Sequence, residues 1–149
     1  MKQRVYLDTS VLSALEDLRW PDRAELTRLF WVRRDQFELC TSELARQEVA
    51  ETSDEDRRRQ MSALLSELTI HPVTAEMHAL ARRYVEAGIF PESVIADAVH
   101  VAAAVLTRCD VLISWNFKHL VNRTRRNAVA VVNASSGLPT IEIIAPPEL

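Results

Sequence analysis

Short β-branched or aromatic runs alternate with stretches of helical periodicity along all 149 residues of this chain. That alternation confines it to the α/β class, because strands joined through helices return to one sheet in parallel. Residues 4–7, 37–40, 69–73, 110–114 and 140–144 read as five strands. Between them, apolar spacing and capping residues predict helices over 9–18, 22–36, 42–51, 53–68, 74–87, 91–107 and 117–134. The expected architecture is a three-layer α/β/α fold around a mostly parallel five-stranded sheet, built as one domain over residues 1–149. Only two glycines occur, Gly88 and Gly137. That is too few for a P-loop or a G-x-G-x-x-G turn, and too few for the tight turns of an all-β barrel. Gly88 is placed at a helix end and Gly137 in the turn into the last strand.

Composition narrows the function less than the fold. The chain is 48% hydrophobic and 26% charged, an ordinary globular balance, and its net charge of −3 does not announce a nucleic-acid binder. Its 18 basic residues are 16 Arg and 2 Lys, and the arginine fork suits phosphate. Cys40 and Cys109 have no C-x-x-C spacing, so neither a zinc site nor a disulfide framework is expected. The opening MKQRVYLDTS does not read as a signal peptide, and no apolar run approaches the roughly 20 residues that span a bilayer. These features lead to the expectation of a cytoplasmic protein with no membrane partner.

The helix over 91–107 is apolar on most sides and reads as buried, yet it contains Asp97. An unpaired carboxylate there costs several kcal/mol, about what a divalent cation or an arginine partner would relieve. Ligand sites in open α/β sheets lie outside the carboxyl ends of the strands. Asp8 ends strand 1, Asn116 lies two residues past strand 4, and Glu48 and Asp97 fall within two turns of helix starts near that edge. Each has an ordinary alternative: Asp8 as a helix N-cap, Glu48 as solvated surface, Asn116 as a turn residue. His100, three residues beyond Asp97, reads as a hydrogen-bonded core residue rather than a ligand. The Arg57-Arg58-Arg59 run reads as a solvated helix face pairing with the preceding acids. Trp115 reads as packing beside strand 4 rather than stacking a base.

Four segments carry a resemblance in chain order: V-Y-L-D-T-S-V-L at 5–12, S-E-L-A-R-Q-E-V at 42–49, A-D-A-V-H-V-A-A-A at 96–104 and D-V-L-I-S-W-N-F-K-H-L-V-N at 110–122. With the tail G-L-P-T-I-E-I-I-A-P-P-E at 137–148, they resemble the PIN domain, in particular the VapC-type toxin ribonucleases of toxin–antitoxin pairs. The resemblance implies hydrolysis of RNA phosphodiesters with Mg2+ or Mn2+. It implies Asp8, Glu48, Asp97 and Asn116 as catalytic residues, with Asp8, Asp97 and Glu48 at the metal. Asn116 departs from the pattern, since many members carry a fourth acid there. Thr9, Ser10, Lys118, His119 and Arg123 are the expected substrate contacts. A cognate antitoxin, lying in a groove between the helices at 9–18, 22–36 and 42–68, and a homodimer are the implied partners. The competing expectation is a catalytically weak or inactive PIN-like protein that binds RNA or a partner. A phosphatase using Asp8 as nucleophile fits less well, because Ser10 stands where that chemistry wants a second aspartate.

Overall fold

A computed structural model describes residues 1–149. Five strands form one all-parallel sheet: β1 (Gln3–Leu7), β2 (Phe37–Ser42), β3 (Thr69–His71), β4 (Val111–Ile113) and β5 (Glu142–Ile144), in the order β3-β2-β1-β4-β5. Seven α-helices connect them: α1 (Thr9–Ala14), α2 (Pro21–Trp31), α3 (Glu43–Ala50), α4 (Glu55–Leu65), α5 (Ala75–Glu86), α6 (Ile95–Leu106) and α7 (Arg123–Ser135).

Side-chain alternation along the central strands sorts the helices into layers. Tyr6 and Leu112 point into a core with Tyr84 of α5, the apolar run of α6 and Val129 of α7. Val5, Leu7, Val111 and Ile113 point the other way, against Val11 and Leu12 of α1, Phe30 of α2, Val49 of α3 and Met61 and Leu65 of α4. The expected three layers are thus present. Residues 98–105 of α6 are all buried, as its continuous apolar surface requires.

The element boundaries differ from the periodicity where side chains capture the backbone. Helix α1 ends at Ala14 rather than at 18, because Asp17 accepts the backbone N–H of Arg19 and closes a turn. Helix α2 ends at Trp31, and a 3-10 turn takes up 34–36. Helix α7 starts at Arg123 rather than at 117. Before it, Asn116 Oδ1 accepts the N–H of His119, and Asn122 caps the helix by accepting the N–H of Arg125. Gly88 and Gly137 take positive φ (79° and 67°) just past α5 and α7, the left-handed residues that end those helices. Arg108 does the same past α6 at φ 63°, a conformation a glycine would adopt at lower cost.

Crossovers run from β1 to β2 on one side, while β4 pairs with β1 on the other. The order therefore reverses between β1 and β4, and the switch point opens beyond their carboxyl ends. Asp8 follows one strand and Ser114-Trp115-Asn116 follows the other.

Candidate active site

Asp8 occupies the N-cap position of α1 but makes no side-chain cap. Its Oδ2 instead accepts the hydroxyls of Ser10 (2.8 Å) and Ser114 (2.7 Å). Those two serines also accept the N–H groups of Trp115 and Asn116, at 2.9 Å each. The loop after β4 is thereby stitched to the loop after β1, and Asp8 is fixed at the seam with Oδ1 left without a hydrogen bond.

Glu48, on α3, approaches from the neighbouring helix. Its Oε1 accepts from Thr9 Oγ1 at 2.8 Å and lies 2.6 Å from Nε2 of His100. His100 is fully buried on α6, and its Nε2 also lies 3.6 Å from Asp8 Oδ1. Its Nδ1 lies 2.7 Å from the Tyr6 hydroxyl, which meets Ser42 Oγ at 2.8 Å. Burial opposes the imidazolium, but the Tyr6 oxygen, Glu48 and Asp8 outweigh it and hold the pKa well above the usual histidine value. Burial likewise opposes the Glu48 carboxylate, and the His100 contact overcomes this and lowers its pKa. His100 is the residue whose partners sequence reasoning did not supply. It is indeed a hydrogen-bonded core residue, but its partners are the acids of the site. Its spacing from Asp97 was the available signal, and the polar environment of its two ring nitrogens was not readable from apolar neighbours.

Asp97 lies in the first turn of α6, half-buried, and receives only a long contact from Asn116 Nδ2 at 3.5 Å. Burial first, then the nearby charges of Asp8 and Glu48, push its pKa up to about 6, while His100 and Arg125 pull the other way. Asn116 presents its amino edge to Asp97, because its oxygen is turned onto the His119 N–H. The Asn116 amide oxygen is thus already an acceptor within its own turn.

The expected substrate contacts are distributed differently. Thr9 and Ser10 spend their hydroxyl donors on Glu48 and Asp8. Lys118 and Arg123 are exposed, and His119 is half-buried with Nδ1 unpartnered. Arg125, rather than Arg123, is the arginine whose charge reaches Asp97; its Nη1 donates to the His119 carbonyl at 3.2 Å. Arg57 departs from the solvated-face reading: it pairs with Asp17 at 3.2 Å and reaches Ser13, tying α4 to the α1 end. Arg59 pairs with Glu55 and Asp56 along its own helix as expected.

Whether these residues suit a hard divalent cation is decided by their free oxygens. Asp8 Oδ1, Glu48 Oε2 and both oxygens of Asp97 lack a strong donor, and the mutual repulsion felt at Asp97 is what a cation relieves. The donor chemistry fits Mg2+ or Mn2+. The acids are nonetheless not drawn into a closed ligand cluster; no three His, Cys, Asp or Glu side chains are grouped to hold a metal. The His100 ring instead links two of them, its Nε2 2.6 Å from Glu48 Oε1 and 3.6 Å from Asp8 Oδ1.

The family model of the PIN domain matches residues 5–118. The chain therefore belongs to the PIN domain family. Its fold is shared with solved structures at low identity. FitAcB from Neisseria gonorrhoeae matches at 16% identity and a TM-score of 0.61, over 97% of this chain and 99% of that one. VapBC2 from Rickettsia felis, described as bound to a DNA fragment from their promoter, matches at 13% identity and a TM-score of 0.57, over 95% and 97%. No curated protein sequence matches the chain. No helix is long and apolar enough to cross a membrane.

Proposed function

We propose that this PIN-domain protein is a divalent-cation-dependent endoribonuclease of the VapC toxin type, held inactive by a cognate antitoxin. The observation that carries the reading is Asp97: a half-buried carboxylate, without a strong donor, facing Asp8 and Glu48 at the switch point of the sheet. Asp8 and Asp97 would hold the ion, with Glu48 beside them. When bound, Mg2+ or Mn2+ supplies charge against the phosphoryl oxygens and lowers the pKa of a water. The chain's own residues do the positioning. Ser10 and Ser114 lock the Asp8 carboxylate, Thr9 and His100 fix Glu48, and the Asn116 amide directs an N–H toward Asp97.

A groove of about 890 Å3 runs from this centre between α1, α3 and α4. Glu16, Glu48, Glu51, Asp54 and Asp56 give it an acidic lining that suits a basic antitoxin segment. Helix α2, which the sequence reading included, does not line it.

The test is cleavage of single-stranded RNA by the purified protein with Mg2+ or Mn2+, stopped by chelation. Asp8→Asn is expected to reduce the rate about 100-fold or more, the scale of losing a charged group that stabilises a transition state. Cleavage that survives this change removes the site. A second reading, a PIN-like protein that binds without cutting, is favoured by one observation: Asn116 offers an N–H where a fourth carboxylate would add negative charge. RNA binding with no cleavage in either metal selects it.

A further inference from the structure

Beside the carboxylates lies a second feature that the proposed chemistry does not use. Arg23, on α2, is flanked by three aromatic rings. Its guanidinium carbon is 5.1 Å from the centroid of Trp20, 5.4 Å from Trp115 and 5.6 Å from Phe117. Trp115 is buried and anchored, its Nε1 donating to Thr27 Oγ1 at 2.9 Å, and Phe117 meets it edge-on at 6.1 Å. Trp20 and Phe117 are the outer members, 57% and 46% exposed. A cavity of about 260 Å3 lies against Trp20, Arg23 and Trp115 and is also lined by Ser10 and Asn116, the residues that abut Asp8 and Asp97. The aromatic site and the acidic site thus share a wall.

Arg23 makes no ion pair. The one carboxylate lining its cavity, Asp17, is already held by Arg19 and Arg57. Its guanidinium sits among the three rings, and no other group of the chain takes up its side-chain N–H donors. Such an arrangement accepts a flat ring that stacks on an aromatic face and carries acceptors on its rim. A basic peptide, which the neighbouring groove suits, is repelled by Arg23.

We propose that Trp20, Arg23 and Phe117 form a nucleobase subsite. One unpaired base of a single-stranded RNA, next to the phosphate at the carboxylates, stacks on the Trp20 ring while Arg23 donates to its acceptor edge. The proposal deepens the ribonuclease reading and rests on it for the phosphate placed at the carboxylates.

The test is fluorescence anisotropy with a labelled single-stranded hexaribonucleotide, in the Asp8→Asn background so that the probe stays intact. Trp20→Ala is expected to weaken binding roughly tenfold, the scale of one base–aromatic stack, and Trp20→Phe to retain most of it. Arg23→Gln weakens it several-fold. A hexamer made abasic at the stacked position binds the parent roughly tenfold more weakly, and Trp20→Ala then costs nothing further. Trp20 is exposed, so an unchanged melting temperature accompanies its truncation. Equal hexamer affinity with and without the Trp20 ring overturns the subsite, as does full additivity at every abasic position. So does a Trp20→Ala variant that keeps full hexamer affinity but no longer binds the cognate antitoxin, which would make this a protein-docking surface. Failure of the nuclease reading shows separately. Trp20-dependent binding with no cleavage by the unmodified protein keeps the subsite and removes the hydrolase.

Discussion

Asp17 and Asp97 are both withdrawn from water, and they are solved in opposite ways. Asp17, buried at the end of α1, is met by Arg19 at 2.9 Å and Arg57 at 3.2 Å and also accepts the Arg19 backbone N–H. The Arg19 hydrogen bond outweighs burial and holds its pKa well below the usual carboxylate range. Asp97 receives one long amide contact and two like-charged neighbours, and its pKa is pushed up to about 6. One carboxylate is neutralised from within the chain and ties α1 to α4. The other is left for something the chain does not supply. On the proposed function, the contrast separates a carboxylate placed for stability from one placed to hold a cation.

The largest effect expected from this contrast is at Asp97. Asp97→Asn should abolish metal-dependent cleavage by about 100-fold or more, and yet raise the stability of the metal-free protein. Removing one of three repelling charges is worth about 1 kcal/mol after allowance for its partial exposure, or roughly 2–4 °C in Tm. Mg2+ should raise the Tm of the unmodified protein and leave that of Asp97→Asn nearly unchanged. A variant that is both less active and less stable would erase the distinction. Asp17→Asn should do the reverse. It leaves two arginines facing a neutral amide and costs about 1–3 kcal/mol, below the figure for a fully buried pair because Arg19 is 73% exposed. Cleavage per folded molecule should stay within about twofold, since Asp17 touches none of the residues proposed to hold the ion.

The same contrast marks what was legible in the sequence. The alternation of strands and helices carried the layers and the parallel sheet, because burial on both faces of β1 and β4 leaves a readable apolar run. Asp8, Glu48 and Asp97 could be brought to one edge from topology alone. What could not be read was how each is partnered. His100 sits in an apolar stretch, and only the packing of α6 against β1 and α3 turns its two nitrogens onto Tyr6 and Glu48. Arg57 lies in a charge run that pairs locally for Arg59 but not for itself. Helix ends at 14 and 123 were missed for a related reason: Asp17, Asn116 and Asn122 capture backbone N–H groups, which apolar periodicity does not record.

Asn116 offers a way to sharpen the comparison from the Asp97 side. Asn116→Asp keeps the oxygen that accepts the His119 N–H, so the turn should survive, but it replaces the only amide donor near Asp97 with another charge. Ligand charge count is one determinant of cation affinity. The variant should therefore bind Mg2+ several-fold more tightly, read as a larger Mg2+-induced rise in Tm, and its metal-free form should be less stable by about 0.5–1 kcal/mol. Unchanged stability with and without the ion would mean that position 116 faces away from the site.

The comparison is sharpened from the other side by the pH signature of Asp17. Its pKa in the folded protein is depressed, so its contribution to stability is fully present above the unfolded value near 4 and is lost as pH falls toward the folded value. Asp17→Asn lacks that contribution at every pH. The gap in Tm between the unmodified protein and Asp17→Asn should therefore be constant from about pH 7 to pH 5 and close progressively below about pH 4. Thermal melts of the metal-free proteins at matched ionic strength read this directly. A gap that stays open at low pH would mean that Asp17 stabilises through packing and backbone capture rather than through its charge, leaving Arg19 and Arg57 as bystanders.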